Sequence, residues 1–129
     1  MRKPSEKSCS EDDKRKGHLF FTALNLIANK WGVRLIYTLA TADNRTLRFN
    51  ALQKSMDGIS QRELTRHLRE FEACGIVSRK VYAEVPPRVE YTLTDVGLTL
   101  QQPIEALMSW AEQHGPKIQK KREAFLDNR

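Results

Sequence analysis

Residues 57–63, Asp-Gly-Ile-Ser-Gln-Arg-Glu, constrain the fold more than any other part of the chain. Asp57-Gly58 is a turn dipeptide, and Ser60 followed three positions later by Glu63 is a capping box. The Ser60 hydroxyl can accept from the Glu63 amide while the Glu63 carboxylate reaches back, so a helix starts just after Ser60. Its apolar stripe is Leu64, Leu68 and Phe71, and Gly75 is placed to end it at positive φ. Before the turn, Phe49, Leu52 and Met56 also have helical spacing. Two short helices meeting across Met56-Asp57-Gly58-Ile59 make a helix-turn-helix.

The flanks add to that unit. Leu19, Phe20, Ala23, Leu24 and Ile27 recur at three- and four-residue steps over residues 18–28, and Trp31, Leu35, Ile36 and Leu39 form a second stripe that runs out in Thr41 to Asn44. Beyond Gly75, the runs Ile76–Tyr82 and Val89–Leu93 are β-branched and aromatic, and they flank a loop containing Pro86-Pro87. That pattern predicts a β-hairpin. Thr94 can then cap a last helix with the ridge Val96, Leu100, Ile104, Leu107 and Trp110, kinked at Pro103. The predicted fold is mainly α with a small β-hairpin, a winged helix-turn-helix whose flanking N- and C-terminal helices form a dimer interface. A chain of 129 residues has room for one such domain. The expected division is a flexible charged tail over 1–17, the winged domain over 18–114 and a basic C-terminal extension over 115–129.

Charge decides what this fold would touch. The chain carries 22 Lys and Arg against 16 Asp and Glu, a net charge of +6, which favours a polyanion. With Leu64, Leu68 and Phe71 inward, the helix after Ser60 leaves Gln61, Arg62, Thr65, Arg66 and Arg69 on its outer side. Arg can bond a guanine edge bidentately and Gln an adenine edge, and the major groove admits one helix. Arg48, Arg79, Lys80 and Arg88 are candidates for phosphate or minor-groove contact, and the helix start at Ser60 suits a nearby phosphate. An Arg-bearing helix face is ordinarily solvated surface, and Glu63 and Glu70 have the spacing to pair with Arg62, Arg66 or Arg69. What favours double-stranded DNA is the position of this face, behind a helix-turn-helix turn and ahead of a basic wing.

Other function classes find little support. No phosphate-binding glycine loop, zinc-protease or nucleophile-elbow motif occurs, His18, His67 and His114 are scattered singly, and Cys9 and Cys74 lack metal-ligand spacing. No enzyme activity, cofactor or metal is expected. Trp31 reads as core, Trp110 as core or interface, His67 as helix surface, His114 as a helix end and Cys74 as a packed, inert thiol. No apolar run approaches the about 18 residues of a membrane span, and the N-terminus lacks a signal-peptide core, so a cytoplasmic protein without membrane contact is expected.

The runs Ala23–Trp31, Arg48–Leu52, Gly58-Ile59-Ser60, Leu64–Glu72, Gly75-Ile76-Val77 and Val85–Thr94 together resemble the HxlR-type family of bacterial regulators. The resemblance covers about residues 18–114. It implies a winged helix, a homodimer built from the first and last helices, and a transcriptional regulator, acting as a repressor, on a roughly palindromic operator read by the helix after Ser60. Leu19, Phe20, Leu100, Ile104, Leu107 and Trp110 would form the dimer interface. Many relatives carry an oxidant-sensing cysteine thirteen positions before the tryptophan, where this chain has His18. Cys9 is the candidate redox residue in its place: Lys7 and the basic run 14–16 favour its thiolate, while Glu6 and the acidic run 11–13 oppose it. No effector is indicated. The alternative function is a winged-helix module that binds DNA without sequence preference or docks a protein.

Overall fold

Apolar spacing decides where the core lies. The computed structural model describes residues 11–128. The elements are α1 (Glu11–Ile27), α2 (Lys30–Ala40), a 3-10 turn (Asp43–Arg45), β1 (Thr46–Arg48), α3 (Phe49–Ser55), α4 (Gln61–Ala73), β2 (Val77–Tyr82), β3 (Arg88–Leu93), α5 (Asp95–Leu98) and α6 (Gln101–Asp127). Leu35, Ile36 and Leu39 of α2, Leu52 of α3, Leu64, Leu68 and Phe71 of α4, and Leu93 of β3 converge in one buried cluster with Trp31, Met56, Ile59, Ile76, Val77 and Ile104. Each large side chain so buried contributes roughly 1.5–3 kcal/mol.

Local signals place the ends of these helices. Asn29 caps α2: its Oδ1 accepts from the Gly32 amide at 2.6 Å, and its Nδ2 donates to the Leu26 carbonyl at 3.2 Å. The capping box at Ser60 is formed in full. Gly58 and Gly75 take φ of 94° and 75°, the left-handed region that the turn and the end of α4 require. The sheet is antiparallel in the order β1-β3-β2, so the predicted hairpin β2–β3 has a third strand on its inner edge. Thr46 pairs with Thr92 in that register, and their hydroxyls are 2.8 Å apart.

Several expectations need correction. Residues 11–17 are not a tail, because α1 starts at Glu11. Glu11, Asp12 and Asp13 lie in its first turn, where carboxylates suit the helix dipole, and Asp12 pairs with Arg15 and Lys16 at 3.2 and 3.4 Å. Residues 1–10, including Cys9, lie outside the described residues. The last helix is two helices: Thr94 caps α5 through the Gly97 amide, and α6 begins anew at Gln101. A Cβ on Gly97 would collide with the Ile76 carbonyl, so α5 sits directly on the chain leaving α4. Pro103 lies in the first turn of α6, where its missing N–H costs no helical bond, and the break in the helical run falls before it, between Leu98 and Gln101. No boundary falls at residue 114, since α6 continues through Gly115 and Pro116 to Asp127. His114 is therefore inside α6, its ring 5.4 Å from that of Trp110. Cys74 is exposed at the end of α4, while His67 is buried.

The proposed interface residues divide in two. Ile104 is 4% exposed and belongs to this chain's own core, and Leu100 packs against that core. Leu19, Phe20, Leu107 and Trp110 stand 59%, 61%, 61% and 52% exposed. Among the described residues no helix is long and apolar enough to cross a membrane.

Candidate nucleic-acid interface

The outer side of α4 is set by its inner side. Because Leu64, His67, Leu68 and Phe71 are buried, Gln61, Arg62, Thr65, Arg66 and Arg69 line one open depression on the opposite side. None of Arg62, Arg66 and Arg69 forms an ion pair among the described residues, so the pairing with Glu63 and Glu70 that their spacing allows is not made. Glu63 is occupied elsewhere. Its Oε1 accepts from the Ser60 amide at 3.3 Å and the Ser60 hydroxyl at 3.1 Å, and its Oε2 accepts from Trp31 Nε1 at 3.0 Å. The Ser60 hydrogen bonds, helped by Trp31 and Arg66, hold its carboxyl below the usual range, so it stays ionised. The Thr65 hydroxyl donates to the Gln61 carbonyl at 2.8 Å, which leaves its oxygen lone pairs toward the depression's contents.

Beside α4, Thr65, Leu68, Arg69, Glu72, Arg79 and Tyr91 line a narrow cleft between the helix and the wing. Arg79 pairs with Glu72 across it at 3.7 Å, which ties the wing to α4. Burial raises the Tyr91 hydroxyl above its usual pKa there. Arg48 and Arg88 meet in a second notch, formed with Phe49, Asn50 and the loop Glu84–Val89. Arg88 is committed within the chain: it stacks 3.9 Å over the Tyr82 ring and faces Glu84 at 3.4 Å and Glu90 at 3.8 Å. It braces the wing more than it extends from it. Lys80 lies 4.9 Å over the other wing aromatic contact, also Tyr82, and forms no ion pair among the described residues.

The structure thus brings Gln61, Arg62, Thr65, Arg66 and Arg69 together, sets Arg69 and Arg79 on the walls of one cleft, and leaves Arg48 and Arg88 in a separate notch. Sequence reasoning missed His67 as a buried residue, although its place three after Leu64 and four before Phe71 is a core position. Burial pushes its imidazole pKa down, as does the neighbouring Arg66. Among the described residues no group of His, Cys, Asp and Glu is placed to hold a metal.

The sequence model of the HxlR-like helix-turn-helix family matches residues 26–119. The chain is 41% identical over 99 residues to the HTH-type transcriptional regulator YdeP of Bacillus subtilis strain 168, covering 77% of this chain and 75% of that one. It is 42% identical over 93 residues to an HTH-type transcriptional regulator of Methanothermobacter thermautotrophicus, covering 72% and 69%. Its fold is similar to that of the redox regulator HypR in its reduced form, with 39% identity and a TM-score of 0.69 over 79% of this chain and 97% of that one. These similar proteins are transcriptional regulators and not enzymes.

Proposed function

The chain belongs to the HxlR-like helix-turn-helix family of transcriptional regulators, and from that membership we propose that it acts as a homodimer on a palindromic operator, with α4 in the major groove. The observation that carries this reading is the outer face of the capped helix α4, where three arginines form no ion pair among the described residues. An arginine free of carboxylates can present both guanidinium edges to a guanine, and a dimer places two such helices on successive turns of the duplex. Gln61, Arg62, Thr65 and Arg66 read or orient on base edges. Ser60, Arg69, Arg79, Lys80 and Arg48 hold phosphates, with Arg88 bracing the wing that carries two of them. Occupancy of a promoter in the cytoplasm then represses by excluding polymerase.

The apolar residues Leu19, Phe20, Leu107 and Trp110, exposed on α1 and α6, support the dimer, since a second copy is the partner that symmetry supplies. The domain reading becomes a winged unit over α2 to α5 with α1 and α6 as the joining arms. A pull-down of genomic fragments with the full chain, repeated with Arg62→Ala plus Arg66→Ala, tests the function. A discrete palindromic site is expected to be enriched by the wild type and weakened by about 1–3 kcal/mol per bidentate arginine lost. Uniform enrichment of all fragments, unchanged in the double variant, would leave a sequence-blind DNA-binding or protein-docking module instead.

A further inference from the structure

The start of α2 breaks a local rule. Lys30 is its first residue and Arg34 follows one turn later, yet the first turn holds no carboxylate. Lys30 there opposes the positive end of the helix dipole, and Arg34 one turn on adds a second positive charge beside it. Both side chains are exposed and neither forms an ion pair among the described residues. Both are instead gathered on one ring: Lys30 Nζ lies 4.8 Å and the Arg34 guanidinium carbon 5.0 Å from the centre of the Trp31 indole. Trp31 itself is buried against the helix-turn-helix. Its N–H donates to Glu63 in the first turn of α4, and its ring edge is near enough to the turn that a Cβ on Gly58 would meet it at 3.8 Å. Two unneutralised cations are thereby fixed to the start of α4 through one rigid side chain.

We propose that Lys30 and Arg34 are phosphate contacts, which extend the DNA surface from α4 onto the start of α2, and that the Trp31 ring holds them in place for it. Cation–π contact restrains both side chains without consuming their charge, so each remains able to neutralise a phosphate. Positions where charge and helix polarity disagree are the ones where function outweighs local stability. The inference rests on the reading of α4 as the DNA-facing helix. A phosphate held here would flank the bases read by Gln61 and Arg62, outside the contacts made by the wing.

Salt titrations of binding to the enriched fragment test this, using the full chain as wild type, Lys30→Gln, Arg34→Gln and, as a control distant from α4, Lys117→Gln. The slope of log K against log salt is expected to fall by about 0.9 in each of the first two variants and to stay at the wild-type value in the third. Between 50 and 200 mM salt, that difference makes each variant's loss of affinity about threefold smaller. Thermal unfolding of all variants should follow the wild type, because the altered side chains are exposed. Wild-type slopes in both Lys30→Gln and Arg34→Gln would overturn the inference, as would an equal fall in Lys117→Gln, which would reduce the effect to net charge. If the wild type itself prefers no fragment, the reading of α4 fails; a retained preference with unchanged slopes sinks the α2 contacts alone.

Discussion

Helix α4 and the arms α1 and α6 use their apolar residues in opposite ways. In α4 the stripe Leu64, Leu68 and Phe71 is fully buried in the core beside α2 and β2, and the charged side meets solvent. In α1 no residue is buried, and Leu19, Phe20 and Phe21 face outward; in α6 only Ile104 is buried, near its start, and Leu107, Trp110, Ile118 and Phe125 are exposed beyond it. The first helix is complete within one chain. The arms leave theirs exposed, so the same apolar chemistry serves folding in one region and, under the proposed dimer, is available for association in the other.

The sharpest way to break this contrast is to truncate one residue of each kind. Phe71→Ala should cost about 3–5 kcal/mol in urea unfolding, because it opens a cavity in the covered core. Phe20→Ala, at an already exposed position, should stay within about 0.5 kcal/mol when measured on dilute monomer. Similar losses in both would erase the distinction. A second measurement is sedimentation of Leu107→Glu combined with Trp110→Glu at micromolar concentration. The wild type is expected to run as a dimer and the variant as a monomer with unchanged helix content by circular dichroism; a variant of wild-type size would remove α6 from the joint.

The smallest effect concerns the inner side of α4. His67 has its pKa lowered from 6.5 by burial, so the unfolded chain takes up this proton before the folded one does. The stability from neutral His67 is full above about pH 6.5 and is lost as pH falls through the lower folded value. His67→Gln should flatten the stability profile between pH 7 and 5. Glu63 acts lower, since its carboxyl is held below 4.5 and its contribution disappears only as pH falls through that depressed value. A loss of stability near pH 6 that persists in His67→Gln would assign the titration to another group.

What could be read from sequence was what is decided locally. The capping box at Ser60, the positive φ of Gly75 and the apolar stripe of α4 each depend on residues within about four positions, and each is formed. Strand β1 is three residues long and exists through Thr92, Tyr91 and Glu90, more than 40 positions away, so no local pattern marks it. The split between α5 and α6 has the same origin, because the constraint on Gly97 comes from the Ile76 carbonyl. At the site, the residue types on α4 were legible from periodicity, whereas the engagement of Glu63 was not: one of its oxygens is drawn to Trp31, 32 positions earlier. Lys30 was read only as part of the resemblance to the family and Arg34 not at all, although a cation at the first position of a helix with no acid in its first turn is a signal the sequence carries.

The double duty of Glu63 also limits which side chains can replace it. One oxygen serves Ser60 and the other serves Trp31, so an aspartate, shorter by one methylene, cannot reach both, and a glutamine supplies only one acceptor. Loss of Glu63 leaves the part-buried Trp31 N–H without its acceptor, whereas water can replace the exposed bonds to Ser60. The start of α4 and the seating of Trp31 in α2 are therefore coupled through one carboxylate, while Arg62, Arg66 and Arg69 take no part in that linkage.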